Sequence, residues 1–314
     1  MGGETDGPGL RFPALRPGDR VRLVSPASSP DEAGLRATIA TLTGCGFRVD
    51  TGRHALDRWG YMAGTDEVRR ADLVAAYRDP DVRAVVASRG GAGAYRLLDD
   101  LDDVVTAVRH DPKPLVGFSD ITYLHLVLWR RARMPGIHGG LGGPRGAAAV
   151  RALLTTDEPV VLRRDDRAFT AGLSTGGPAT GFLMGGNLMA VATMVGAGLP
   201  DLDGAVLLLE TERPPGLGLG FVDRQLTQLL RSGALDGVRA VVLGRFPGYE
   251  AYADRGWGLV DVLADRLVDG LGVPVLAGLD LGHGPDPLPV PLGTTAHVDP
   301  GAGTLTVAPA AVVA

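Results

Sequence analysis

The first half of this chain repeats one unit, an apolar run followed by a turn signal and an amphipathic stretch, and few folds accept that rhythm. Val21-Arg22-Leu23-Val24 ends at Ser25-Pro26. Pro30 and Asp31 open a helical stretch to about Thr43, stopped by Gly44 and Gly46. Phe47-Arg48-Val49 is a second short strand. Thr65 is a good N-cap, with Asp66 and Glu67 at the positive end of the next helix dipole. That helix carries Val68, Ala71, Leu73, Val74 and Tyr77 on one face and stops at Asp79-Pro80. Val82 to Ala87 is a third strand, and the glycine loop Arg89-Gly90-Gly91-Ala92-Gly93 after it leads into another helix. Pro114 to Phe118 is a fourth, followed at once by a helix from about Ile121 to Arg131. Strands alternating with helices at this spacing predict a parallel α/β sheet, placed at residues 14–150.

The second half reads as mixed α/β. Apolar runs stand at Ala205–Leu209, Ala240–Leu243 and Val273–Leu276, with helical stretches near Asp223–Arg231 and Leu259–Val268. Ala296-His297-Val298 and Thr304-Leu305-Thr306-Val307 flank a turn signal and predict a hairpin. A length of 314 residues suits two domains. The second is placed at residues 180–314, with 151–179 as a linker. The glycine- and proline-rich start, Met1 to Pro17, lacks the basic and apolar regions of a signal peptide and reads as a loose tail.

Composition narrows the function. A net charge of −5 with mixed signs disfavours nucleic acid and anionic membranes. No run of 18 apolar residues argues for a membrane span. One cysteine, Cys45, excludes an internal disulfide framework and a cysteine metal cluster within the chain. The histidines show no H-x-x-x-H spacing, so no metal is expected. The glycine loop lacks the third glycine of a dinucleotide fingerprint, and no phosphate-binding G-x-x-x-x-G-K-[ST] exists, so no cofactor is expected. The balance is that of a cytoplasmic protein.

The segment Leu115-Val116-Gly117-Phe118-Ser119-Asp120-Ile121-Thr122 runs a buried strand into a helix with a serine at the corner. Two readings fit Ser119: a nucleophile lifted on a sharp turn, or an N-cap of the helix. Ile121 stands where G-x-S-x-G has its second glycine. Serine needs a base. His283, in Leu281-Gly282-His283-Gly284-Pro285, has flanking glycines that leave its ring accessible, and His138 is the runner-up. A base needs a carboxylate, and Glu210 directly follows the run Ala205–Leu209, at a strand's carboxyl end. The order Ser119, Glu210, His283 would draw one site from both halves. The glycine loop could supply one oxyanion donor beside the amide of Asp120. Arg89 could grip a substrate carboxylate as a bidentate fork.

Together these segments resemble the LD-carboxypeptidases, serine peptidases that include muramoyltetrapeptide carboxypeptidases and microcin C immunity proteins. The likeness runs through Arg69-Arg70-Ala71-Asp72-Leu73, Ser88-Arg89-Gly90-Gly91-Ala92-Gly93 and Gly117-Phe118-Ser119-Asp120. It continues through Gly185-Gly186-Asn187, Leu208-Leu209-Glu210, Asp223-Arg224-Gln225-Leu226, Leu243-Gly244-Arg245-Phe246, Gly282-His283 and Pro291-Leu292-Gly293. The resemblance implies a Ser119–Glu210–His283 triad, oxyanion donors at Gly91 and Asp120, a site in the cleft between two α/β domains, and a homodimer. The expected reaction is hydrolysis of the amide to a terminal D-amino acid in murein-derived tetrapeptides. The alternatives are an immunity-type hydrolase of peptidyl- or acyl-nucleotide amides and a biosynthetic acyltransferase. Arg89 and Arg245 favour a carboxylate-ended peptide, whereas Trp59, Tyr61, Tyr249 and Trp257 would suit a nucleotide. The chain departs from the family pattern at Ala92, at His138-Gly139-Gly140, at Thr211, and in the long loop Arg213–Gly220.

Overall fold

The computed structural model describes residues 9–313. Six strands form the first sheet. From edge to edge they are Val290–Pro291, Ile137–His138, Leu115–Gly117, Val82–Ala87, Arg20–Val24 and Arg48–Thr51. All pairs are parallel except the one that adds Val290–Pro291. Val21, Leu23, Val24, Val82 and Val85 are fully buried, as strands covered on both faces must be. The helices that cover them start where their caps say. Asp31 accepts from the Gly34 amide at 2.6 Å ahead of Glu32–Gly44, and Thr65 accepts from Val68 ahead of Asp66–Arg78.

Strand order reverses beside Arg20–Val24. The chain leaves that strand to build Arg48–Thr51 on one side, then returns to build Val82–Ala87 on the other. Loops that leave the carboxyl ends of the two inner strands diverge there and open a crevice.

The second sheet has seven strands: Val275–Leu276, Ala240–Leu243, Ala205–Glu210, Ala179–Asn187, Thr295–Asp299, Thr304–Val307 and Val160–Arg163. The first four are parallel and the last three antiparallel. The hairpin expected near the chain's end is present, pairing Ala296 with Val307. Every residue of Ala205–Glu210 is buried.

Three elements differ from the sequence expectation. The segment 151–179, read as a linker, holds the end of the helix Gly143–Thr155 and the strand Val160–Arg163, which pairs with Thr304–Val307. The four-residue strand is short, and only Leu162 in it is buried, so its apolar signal is weak. The tail read as loose is partly docked. Phe12–Pro13 pairs with Ala311–Val312 and Phe12 is 1% exposed, while residues 1–8 of that tail lie outside the described residues. After the glycine loop comes a 3-10 turn, Ala94–Asp100, before the helix Asp102–His110.

The two sheets meet at their carboxyl ends. The Asn187 amide, at the end of Ala179–Asn187, donates to the Thr122 hydroxyl at 3.1 Å. Thr122 opens the helix Thr122–Ala132 that follows Ser119.

Candidate active site

Ser119 sits on a strained corner. Its φ is +63°, in the left-handed region that non-glycine residues rarely occupy. It begins a 3-10 turn, Ser119–Ile121, and its side chain caps neither that turn nor the helix after it. The N-cap reading therefore falls. A Cβ on Gly90 would lie 2.9 Å from Ser119 Cβ and 3.2 Å from its Oγ, so only glycine lets the loop pass this close.

Glu210 and His283 come together from the second sheet. Glu210 ends its strand fully buried, and its Oε2 lies 2.5 Å from His283 Nδ1. The same oxygen accepts the His283 backbone amide at 3.0 Å. Gly282, at φ +79°, makes this approach possible, because a Cβ there would overlap the Glu210 carboxylate. Burial opposes charge on His283. The Glu210 hydrogen bond and the charges of Glu210 and Glu212 outweigh it, holding the imidazole above its ordinary pKa of 6.5.

Ser119 and His283 line one cavity of about 610 Å³. It lies at the reversal point of the first sheet, and Gly90, Gly91, Phe118 and Arg89 line it too. Phe118 stands edge-on to the His283 ring, with centroids 5.2 Å apart. A larger concavity of about 820 Å³ lies elsewhere, between Arg130, Asp203 and Asp236, and no histidine lines it.

The glycine loop is held from several sides. Gly91 has φ +101° and a Cβ on it would collide with Ser28. The Ala92 amide donates to Ser28 Oγ at 3.1 Å, and the Ala94 amide to Asp120 Oδ2 at 2.7 Å. Arg69, 1% exposed, donates to the carbonyls of Gly93 and Pro26. Asp120 follows Ser119, so its carboxylate ties the corner to the loop. Burial is the main cause that raises Asp120 to a pKa of about 6, against the pull of the Ala94 amide and Arg69.

The two arginines expected at the substrate differ. Arg89 lines the cavity and has no hydrogen-bond or ion-pair partner among the described residues. Arg245 is not in the lining. Its Nε is 3.2 Å from Asp280 and its Nη2 3.6 Å from Asp165, so two carboxylates already use its charge. The aromatic residues read as a nucleotide platform are not there either. Trp59, Tyr61 and Trp257 are exposed outside the cavity, and Tyr249 is 1% exposed. His138, the alternative base, is fully buried, and burial pushes it down to a pKa of about 3. Among the described residues, no group of three or more His, Cys, Asp or Glu could hold a metal ion.

Comparison with known proteins gives this arrangement a family. The LD-carboxypeptidase N-terminal domain matches residues 21–139, and the LD-carboxypeptidase C-terminal domain matches residues 180–298. This chain belongs to the LD-carboxypeptidase family. It is similar to the murein tetrapeptide carboxypeptidase of Pseudomonas aeruginosa, 33% identical, with 89% of this chain and 93% of that protein covered. Among solved structures, the muramoyltetrapeptide carboxypeptidase of Oxalobacter formigenes superposes with a TM-score of 0.78 at 28% identity, covering 92% of this chain and 97% of that one. The microcin C7 self immunity protein MccF shares the fold, with a TM-score of 0.83 at 21% identity, covering 95% and 98%. As an LD-carboxypeptidase the chain is a peptidase, and the expected two-sheet α/β architecture is that of its structural relatives.

Sequence reasoning missed part of the lining of this LD-carboxypeptidase cavity. Asp31, Gly34 and Thr38 border it from the first helix, and Glu212 reaches to 3.9 Å from His283 Nε2. Asp31 had a visible signal. It caps the helix after the strand at the order reversal, where open α/β sheets gather their ligands. Glu212 had none, since it lies in a loop of no regular pattern.

Proposed function

We propose that this chain removes a terminal D-amino acid from murein-derived tetrapeptides, through an acyl-enzyme on Ser119. The observation that carries the reading is the buried Glu210–His283 pair opening on the cavity that also exposes Ser119 and the unpaired Arg89. His283 Nε2 takes the Ser119 proton as Oγ attacks the amide carbonyl, and Glu210 stabilises the imidazolium at Nδ1. The amides of Gly91 and Asp120 hold the oxyanion. His283 returns the proton to the leaving amine, then activates the water that releases the acyl group. Arg89 takes the free carboxylate of the leaving residue. No metal or cofactor enters these steps.

Arg89 and the displaced aromatics favour a peptide end over a nucleotide leaving group. The reading also places the chain in peptidoglycan recycling, as a cytoplasmic homodimer. No helix among the described residues is long and apolar enough to cross a membrane. Light scattering at micromolar concentration tests the dimer. For the reaction, the protein is incubated with a murein tetrapeptide, and separately with an acyl-nucleotide amide, and products are followed by mass spectrometry. Release of D-alanine supports the proposal. Cleavage of the nucleotide amide alone, or turnover only when an amine acceptor is added, overturns it.

A further inference from the structure

Glu210 uses one oxygen for His283, and its other oxygen faces a second histidine. Glu210 Oε1 is buried and has no hydrogen-bond partner among the described residues. His138 Nε2 lies 3.7 Å from it, with both side chains 0% exposed. Neither ring nitrogen of His138 has another partner among the described residues. A buried acceptor and a buried potential donor thus face each other, each otherwise unsatisfied, and leaving both so is costly.

The backbone around His138 is shaped to hold it there. Its strand, Ile137–His138, lies beside Leu115–Gly117, and Gly117 pairs with His138. Gly186, at φ +135°, packs against the ring, and a Cβ there would lie 2.9 Å from both Cε1 and Nδ1. Phe118 is edge-on to His138 as well as to His283, with centroids 6.3 Å and 5.2 Å away. The imidazole contacts the triad at Glu210, and it is not among the cavity-lining residues.

We propose that His138 is the positioning residue of Glu210: as a neutral imidazole with its proton on Nε2, it holds Oε1 while His283 takes Oε2. A movement of under about 1 Å closes the 3.7 Å contact to hydrogen-bond length. Burial keeps His138 uncharged, so it donates without adding a cation beside His283. The inference rests on the proposed role of the Glu210–His283 pair. Held from both sides, the carboxylate cannot rotate away from Nδ1. Its charge is also partly satisfied, which moderates how tightly His283 keeps its proton.

The groups that face this array are few. His283 faces Glu210, Glu212 at 3.9 Å from Nε2, and Arg89 across the cavity. His138 faces Glu210, His283, whose charge opposes its own, and His125 with ring centroids 6.5 Å apart. His125 is itself buried, held to the Gly117 carbonyl at 2.9 Å, and pushed by burial down to about 4. Asp280, near the same loop, is engaged by Arg245 and Arg145.

The test is histidine-selective ¹⁵N NMR on the whole chain, comparing the wild type with His138→Gln and His138→Leu. In the wild type, His138 should be the Nε2–H tautomer and stay neutral from about pH 5 to about pH 9. An Nδ1–H tautomer overturns the proposal. His138→Leu leaves the Glu210 charge to His283 alone, so the His283 midpoint should rise by about half a pH unit or more, roughly threefold in proton affinity. His138→Gln offers an amide N–H in its place and should stay within about 0.2 unit of the wild type. An unmoved midpoint in His138→Leu, or an equal rise in both variants, overturns it. If His138→Leu does not fold, the tautomer and the His138→Gln midpoint decide. None of these readouts needs turnover. Should Ser119→Ala keep full hydrolysis while His138→Leu still shifts His283, the catalytic reading falls and the positioning one stands.

Discussion

Glu210 Oε2 accepts two hydrogen bonds from the same residue, the His283 ring at 2.5 Å and the His283 backbone amide at 3.0 Å. The second bond fixes where the carboxylate sits, and the first then fixes the tautomer. With Nδ1–H donated to Glu210, Nε2 is left as the basic nitrogen on the cavity side.

That pair sets a pH dependence. The His283 pKa is raised above 6.5, and a general base acts only when neutral. The acid limb of kcat/KM should therefore lie above pH 6.5, with activity falling as pH drops through it. The pair's contribution to stability runs the other way: it is fully present below the ordinary histidine pKa and is lost as pH rises through the raised one. A pH–rate profile with its acid midpoint below 6 would assign that limb to another group.

Removing the proposed nucleophile should cost most. Ser119→Ala should lower kcat by at least about a thousandfold, because members of such a site act as a unit. The fold should survive, since the Ser119 side chain makes no hydrogen bond among the described residues and relief of the φ +63° corner is not required. Circular dichroism and Tm check the fold, and D-alanine release checks the rate.

What the sequence could reveal follows from how local each signal is. Ser119, Glu210 and His283 each come soon after a short apolar run, so position and order made them candidates for one site, and the resemblance to the family joined them. Ser119 and His283 line one cavity, and Glu210 bonds His283. Thr65 and Asp31 announced helix starts through chemistry confined to three residues. Arg245 misled because its partners, Asp165 and Asp280, are distant in sequence and become neighbours only when Val160–Arg163 and the loop before His283 fold together. His138 was weighed as a base by its flanking glycines. Burial, which the sequence does not print, makes that role unavailable.

Gly282 should be intolerant where Gly284 is not. Alanine at Gly282 must adopt φ +79° and overlap the Glu210 carboxylate, so Gly282→Ala should cost roughly 1–2 kcal/mol in backbone strain alone and lower kcat/KM about tenfold or more. At Gly284 the nearest atom to a new Cβ is Arg245 Cγ at 3.8 Å, so Gly284→Ala should leave Tm within about 2 °C. Thermal melts and steady-state kinetics of both variants decide. Equal effects at the two glycines would contradict the close approach.

Asp120 should make its own mark on stability. Its folded pKa, about 6, lies above the ordinary 3.8, so the folded state binds the proton more tightly. The sign check gives a contribution that is favourable at low pH and is lost as pH rises from about 4 to about 6. Asp120→Asn removes the buried charge, and its amide oxygen can still accept from Ala94. Above pH 7 it should gain up to about 2 kcal/mol relative to the wild type, with the gain fading below pH 4. Denaturant melts of both proteins across that range test it, and parallel stability–pH curves would refute the assigned shift.

Arg89, in its proposed role, should decide which peptide ends are accepted. It is the arginine in the cavity lining and lacks a protein partner among the described residues, so its guanidinium is available to a substrate anion. A bidentate fork matches a carboxylate, and lysine offers a point charge without that geometry. Arg89→Ala should raise KM for a peptide ending in D-alanine by about 10- to 100-fold, and Arg89→Lys should recover only part of the loss. A peptide ending in D-alaninamide has no carboxylate to grip. Its kcat/KM should be low with the wild type and nearly unchanged by either substitution. Parallel kinetics on the two peptides separate charge recognition from a general disturbance of the loop, because a disturbed loop would slow both substrates alike.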